Sequence, residues 1–374
     1  MTIMNKPRIL IVENSVAVTG ALKSIMRSSH GLTENFTFIF LLPKNSAAVN
    51  HVRDAGFEVH QLDMRELRKN IFSIFIYLPV LLYNAFTLLS IVRKLNIHLV
   101  VVNDFYNLLP SAYRILRGKV PYVCYVRFLP SKFPKAFVKS WCALHLRYAQ
   151  QTIAVSKAVL NELPFKQNVV VIGNELPAEA CPFTSTLNST TILYPANYIS
   201  GKGHEFALES FALIYTKHPE WKLKFVGGDM GLAKNREFKE SLIKRAHDLK
   251  ISDRVEWHNF SEKISDEYLS ASIVLNFSES ESFSMTCLEA MFYGRPVIAT
   301  RSGGPSEIID QNETGILVDL KDTAAMADAM KYLIGNPDKR EDMARRAYHS
   351  VRQKFSFANT IEKLGEVYRK FLKS

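Results

Sequence analysis

Residues 278–309 read S-E-S-E-S-F-S-M-T-C-L-E-A-M-F-Y-G-R-P-V-I-A-T-R-S-G-G-P-S-E-I-I. Just before them, Ser272–Asn276 is a short apolar run with the character of a buried strand. A helix is expected to open near Ser284 and to stop at Gly294, with Pro296 as a second stop signal. A further strand, Pro296–Thr300, follows at once. A loop of small residues that opens onto a helix N-terminus presents free backbone N–H groups and the positive end of the helix dipole. That arrangement suits a diphosphate. Glu281 precedes the expected helix and Glu289 lies inside it, and an ionised carboxylate accepts hydrogen bonds from a pair of sugar hydroxyls. A nucleotide-sugar asks for this combination.

Outward from this stretch the same alternation continues. Thr191–Tyr194, Leu223–Val226 and Arg254–His258 read as further strands. Helical patterns lie at 205–217, 235–249, 284–293 and 323–333. In the first half, Arg8–Val12, Phe36–Leu42, Leu99–Asn103, Tyr122–Val126, Thr152–Val155 and Asn168–Ile172 read as strands, with helices beginning near Thr19 and Pro110. Strand and helix in alternation imply mostly parallel sheets covered on both faces. The chain of 374 residues is long enough for two domains. The segment Asn174–Asn188, with two prolines and little periodicity, reads as the linker. The expected division is an N-terminal acceptor-binding domain over 1–175, a nucleotide-sugar-binding domain over 176–356, and a final helix, 357–374, that returns to the first domain. Two doubly wound α/β domains would face each other across a cleft, with ligands in the loops after the strands.

The stretch resembles the retaining GT-B glycosyltransferases of the glycosyltransferase family 4 type. Their hallmark E-x7-E usually stands within S-x-x-E-G-F-G-x-x-x-x-E-A-M-x-x-G-x-P-V, followed by G-G-x-x-E. Ser278, Glu281, Phe283, Glu289, Ala290, Met291, Gly294, Pro296, Val297, Gly303, Gly304 and Glu307 all match that pattern. The resemblance implies a GT-B fold of two Rossmann-like domains. It also implies that Glu289 holds ribose hydroxyls, that Glu281 holds the donor sugar, and that backbone N–H groups around Ser284, Met285 and Thr286 hold the diphosphate. Lys202 matches the family's phosphate-binding lysine, and the segment through His258 and Phe260 resembles the loop that receives the nucleobase.

Some positions depart from the family. Asn197 stands where the family places a second cation beside Lys202. Ser282 and Ser284 replace two glycines. The histidine that the family often carries near the sugar is matched by Arg127, which cannot act as a general base at neutral pH but could bind an acceptor phosphate. The family's glycine-rich loop after the first strand is reduced to Ala17–Gly20, so Thr19 and Gly20 become the candidates for closing over the donor phosphate. The expected catalytic residues are Glu281, Lys202 and Arg127.

The net charge is +11, with 21 Lys and Arg against 10 Asp and Glu in residues 1–180, so the first half carries the whole excess. This asymmetry points to an anionic partner, and an anionic membrane surface fits better than nucleic acid, for which no binding module is seen. Lys132, Lys135 and Lys139 alternate with Phe133, Phe137 and Trp141. That interleaving suits a lipid surface, or an amphipathic helix with its basic side in water. Residues 71–92 carry no charge and are flanked by Arg68, Lys69, Arg93 and Lys94. Three readings are open for them: a buried or half-buried helix of the first domain, a helix lying in the membrane interface, and a membrane span. Ser73, Tyr77, Asn84 and Thr87 share one stripe of that helix, and Pro79 is expected to kink or break it. The four cysteines lack C-x-x-C spacing, which fits neither a zinc site nor a disulfide framework. The N-terminal apolar run is too short for a signal peptide, which suggests a cytoplasmic protein at the inner face of the cell membrane. No G-x-G-x-x-G, complete P-loop, D-x-D or H-E-x-x-H is present.

The expectation is a retaining, metal-independent and cofactor-free transfer from a UDP- or GDP-sugar to a glycan or lipid-linked, membrane-proximal acceptor. The polysaccharide or lipopolysaccharide of a cell surface would be such an acceptor, and nucleic acid is not an expected partner. The alternative is a non-catalytic nucleotide-sugar-binding partner of a membrane glycan-assembly complex.

Overall fold

The structure, a computed structural model, describes residues 6–64, 71–177 and 181–372, with the backbone alone for 71–74. Arg68, Lys69 and the side chain of Ser73 lie outside that description. The chain divides into two compact units, one of residues 1–175 with 357–374, the other of 176–356.

The first unit runs β1 (Arg8–Val12), α1 (Gly20–Gly31), β2 (Thr37–Pro43), α2 (Val49–Asp54), β3 (Glu58–Leu62), α3 (Ile71–Lys94), β4 (Ile97–Val102), α4 (Leu109–Ile115), β5 (Tyr122–Val126), α5 (Lys135–Tyr148), β6 (Gln151–Ala154), α6 (Lys157–Glu162) and β7 (Val169–Val171). Its seven strands form a parallel sheet in the order β3-β2-β1-β4-β5-β6-β7. The central strands are buried on both faces, hence their unbroken apolar runs. Strand order reverses between β1 and β4, where ligand sites of such sheets lie. The edge strand β3, Glu-Val-His-Gln-Leu, is half exposed and polar, so its sequence gives no buried-strand signal.

The helix α3 runs unbroken through Pro79, contrary to the expected interruption. Pro79 lies on the exposed face, where water can replace the hydrogen bond the ring removes. The polar stripe turns inward: Tyr77 and Asn84 are buried, and the Asn84 amide donates to the Asp63 carbonyl at 2.8 Å. Burial raises the Tyr77 hydroxyl to about 12. On α5 the aromatics also face inward. Trp141 is buried, stacks on Phe137 at 5.7 Å and meets Phe133 edge-on at 5.4 Å, while Lys132, Lys135 and Lys139 are exposed. The interleaved pattern there is an amphipathic helix that packs Trp141 inward, keeps Phe133 and Phe137 half buried and leaves its basic side exposed.

The second unit runs β8 (Thr191–Pro195), α7 (His204–Ala212), β9 (Lys222–Val226), α8 (Ala233–Asp248), β10 (Val255–His258), α9 (Ile264–Ser270), β11 (Ile273–Asn276), α10 (Met285–Phe292), β12 (Val297–Thr300), α11 (Pro305–Ile308), β13 (Gly315–Val318), α12 (Thr323–Gly335) and α13 (Pro337–Lys354). Its six parallel strands are ordered β10-β9-β8-β11-β12-β13. The switch point lies between β8 and β11. Ile192, Leu223, Phe225, Ile273, Leu275 and Ile298 line the sheet's share of the core. The chain then returns to the first unit as α14 (Phe357–Lys370), where Tyr368 is buried edge-on to Phe36 and its hydroxyl lies 3.2 Å from that of Tyr125.

Candidate functional site

Four loops meet at the carboxyl ends of β8, β9, β11 and β12. One buried phenol ties the loops after β8 and β11 together. The Tyr194 hydroxyl donates to the Lys202 carbonyl at 2.5 Å and accepts from the Phe277 amide at 3.0 Å. The Glu279 amide donates to the Gly201 carbonyl at 3.0 Å. Gly203 has φ +79, and a Cβ there would stand 2.1 Å from the Phe277 carbonyl oxygen, so only glycine lets the loop after β8 lie against the loop after β11. Gly227 serves the loop after β9 in the same way, since a Cβ would meet the Ala196 carbonyl at 1.9 Å. Burial raises the Tyr194 hydroxyl well above its usual value, so it stays protonated and can donate.

Glu281 is held through its backbone. Its amide donates to the Ser302 carbonyl and its carbonyl accepts from the Gly304 amide, both at 2.8 Å. Its carboxylate, partly buried, forms an ion pair with the Lys202 ammonium at 2.7 Å. Two residues of opposite charge, from loops 79 positions apart, therefore stand side by side. Ser284 caps α10: its hydroxyl accepts from the Cys287 amide at 3.3 Å and from the Asn276 amide group at 2.8 Å. It does so at φ 80, ψ 82, a left-handed conformation that favours glycine, which the family has here. Strained backbone at such a position is a mark of functional sites. Burial raises the Cys287 thiol to about 12, which makes it a poor nucleophile. Glu289, one turn into α10, is half buried and accepts from the Tyr268 hydroxyl at 3.4 Å.

Other expected positions fall around this centre. The Thr286 hydroxyl donates to the Pro195 carbonyl at 3.3 Å, and Met285 opens the helix. The Asn197 side chain accepts from the Gly228 amide at 2.9 Å and so fixes the loop after β9. His258, at the end of β10, binds through its carbonyl to the Tyr198 hydroxyl at 2.9 Å and to the Gly227 amide at 3.3 Å, and Phe260 beyond it is exposed. Phe283 departs from its expected donor contact: its ring is buried and packs edge-on to Phe355 at 5.5 Å, which makes it a packing residue.

Thr19, Gly20 and Arg127 belong to the first unit. Thr19 caps α1, its hydroxyl accepting from the Leu22 amide at 3.2 Å, and Gly20 begins the helix in open space. Arg127, expected as an acceptor ligand, also has a role within the unit. It is buried, and its guanidinium donates to Asn103 at 2.6 Å and to Asn174 at 2.9 Å, beneath the Tyr125 ring at 4.4 Å. Through Nε and Nη1 those bonds tie the ends of β4 and β5 together. Beside it, Asp104 is also buried; desolvation raises its carboxyl to about 8, so it is mostly protonated at neutral pH. The contributions of Tyr194, Asn276, Gly227 and Gly228 were not foreseen. The paired glycines after the strand at 222–226 were their one visible signal.

Two family models match, one on each unit. Residues 183–350 match glycosyl transferases group 1, and residues 18–174 match Glycosyltransferase Family 4. Among curated relatives, the D-inositol 3-phosphate glycosyltransferase of Corynebacterium urealyticum is 34% identical over 173 residues, 45% of this chain and 40% of the relative. The chain thus spans less than half the length of that relative. Among solved structures, the Anabaena protein HepE in complex with UDP-glucose superposes with a TM-score of 0.82 at 18% identity, covering 97% of this chain and 99% of that one. The lipopolysaccharide outer core galactosyltransferase WaaB, in its apo form, superposes with a TM-score of 0.73 at 16% identity, covering 97% and 99%. These likenesses show the fold.

Proposed function

Because the chain belongs to the GT-B glycosyltransferases of the family 4 type, we propose that it moves a sugar from a UDP- or GDP-linked donor to a glycan or lipid-linked acceptor at the cytoplasmic face of a membrane. The transfer retains the anomeric configuration and uses no metal. The observation that carries the reading is the Lys202–Glu281 pair placed beside the Ser284 cap of α10.

Each part has a role that its chemistry suits. The N-terminal amides of α10 and the Lys202 ammonium hold the diphosphate and take up the charge that grows on it as the bond to the sugar breaks. Lys202 exchanges Glu281 for phosphate when donor binds, which frees the Glu281 carboxylate for the sugar hydroxyls. Glu289 accepts from the ribose pair. The loops through Gly228 and through His258 and Phe260 receive the base. The resemblance implies attack by the acceptor hydroxyl on the face the diphosphate leaves. The C1–O bond to phosphate breaks, the C1–O bond to acceptor forms, and the hydroxyl proton passes to a phosphate oxygen. The relatives named above favour UDP as carrier and a phosphate- or lipopolysaccharide-type acceptor. The positive first half supports an anionic acceptor surface.

The non-catalytic alternative draws on one observation. Asn197, in place of a second cation, spends its side chain on the Gly228 amide. The test is turnover. Incubation with UDP- and GDP-sugars and a membrane lipid extract should release free nucleoside diphosphate and yield a product with the donor's anomeric configuration, in the presence of chelator. Donor binding without release in any mixture would favour the non-catalytic reading, and an inverted product would overturn the retaining one.

A further inference from the structure

The outer face of α3 inverts the usual pattern of a surface helix. Phe75 is 73% exposed, Tyr83 70% and Phe86 60%, and Ile76, Leu78 and Leu82 stand out with them. At helical spacing these six occupy one arc of about 160°, along about 16 Å of axis. The polar residues Tyr77 and Asn84 are turned inward and bonded there. A helix whose outer face met only water would carry them the other way round, and an apolar patch this dense marks an interaction surface.

The surroundings identify the partner. Residues 71–150 hold ten Lys and Arg against one carboxylate, Asp104, which is buried. The helix α3 packs against α4, and α4 against α5. Exposed cations sit along this layer: Arg93 and Lys94 at the end of α3, Arg117 and Lys119 after α4, Lys135 and Lys139 on α5. A second copy of the chain would bring like charges together across a symmetric interface. A membrane span would need α3 to leave the unit to which Asn84, Ala85, Leu88 and Val92 bind it. An anionic bilayer accepts both features, the aromatic and aliphatic row in its interface and the cations at its headgroups.

We propose that the exposed face of α3 inserts into the interface of an anionic membrane, with the cations of α3, α4 and α5 against its headgroups. The inference rests on the transferase reading only for its purpose, which is to hold the enzyme where a lipid-linked acceptor lies.

Flotation of the full chain with vesicles tests it, using phosphatidylcholine alone and phosphatidylcholine with phosphatidylglycerol. The wild type should float with the mixed vesicles and not with phosphatidylcholine alone. The exposed-site triple variant Phe75→Ser, Tyr83→Ser, Phe86→Ser should lose at least about tenfold in partition, and Lys135→Glu with Lys139→Glu a smaller factor that high salt abolishes for the wild type too. Failure of the wild type to float, or flotation of the triple variant as strong as the wild type's, overturns the proposal. So does a lipid-free dimer that the triple variant dissolves. Donor binding measured on the same preparations separates this outcome from that of the transferase reading, because the three positions lie outside the donor site.

Discussion

Replacing Asp104 by asparagine should remove a pH dependence from the first unit's stability, so that the more stable of the two proteins changes with pH. Asp104 follows β4, is 6% exposed, and accepts from the Phe105 amide at 2.9 Å and the Arg127 amide at 3.4 Å. Desolvation lifts its carboxyl to about 8, against roughly 3.9 in the unfolded chain. The folded state therefore keeps a proton that the unfolded state gives up. Its stabilising effect is complete below the unfolded value and is lost as pH rises through the folded one. A difference of about four units at 1.36 kcal/mol each bounds the loss at roughly 5 kcal/mol. Asparagine keeps the accepting oxygen but adds an amide that needs a partner, which costs about 1–3 kcal/mol. The variant should then be more stable than wild type by about 2–4 kcal/mol near pH 9 and less stable by about 1–3 kcal/mol near pH 3. Hydrogen exchange of the β4 and β5 amides, compared between the two proteins at the same pH, reads this directly. Protection should favour the variant at high pH and the wild type at low pH. A ratio that does not change with pH would refute the reasoning.

Ser284→Gly relieves a strain of about 1 kcal/mol but replaces the cap by glycine at a few tenths of a kcal/mol and leaves the Asn276 amide short of its partner at about 1–3 kcal/mol; denaturant unfolding should show a net loss of about 0.5–2 kcal/mol, and a gain would mean the hydroxyl does not hold Asn276. Gly203→Ala should cost at least about 2 kcal/mol and weaken donor binding, because its Cβ would meet the Phe277 carbonyl. Gly201→Ala, at φ +86 but in open space, should cost about 1 kcal/mol and leave donor affinity intact; equal effects of the two would refute the close-approach argument. Lys202→Met should change stability by less than about 1 kcal/mol, since its pair with Glu281 is partly exposed, yet weaken donor at least about tenfold by calorimetry. Unchanged affinity would remove Lys202 from the phosphate site.

The parts of the fold that the sequence made legible are those with strong local signals. Unbroken apolar runs such as Arg8–Val12 and Ile273–Asn276 announce strands buried on both faces. The edge strands β3 and β13 carry no such reading, the first because it is polar and half exposed. The helix α13 hid because its buried stripe, Arg340, Met343, Ala344, Ala347 and Val351, is sparse among charges. In the site, the carboxylates and the cap could be named from the residue pattern, and Lys202 from the family resemblance. The wiring beneath them could not, because Tyr194, Asn197 and Gly228 act through backbone groups of distant loops. Arg127 was read differently for a related reason: a guanidinium in the sequence looks like an anion site, and only its neighbours, Asn103 and Asn174, show that its Nε and Nη1 also bond within the unit.

The central claim is that the loops around α10 bind a nucleotide-sugar through Lys202, Glu281 and Glu289. Thermal shift with UDP- and GDP-sugars on wild type and Glu289→Ala tests it most directly. A donor at a hundred times its Kd stabilises by about 2.7 kcal/mol, so one donor should shift the wild type clearly and the variant hardly at all. Equal shifts in the two proteins would contradict the role of Glu289, and no shift in the wild type with any donor would contradict the site itself.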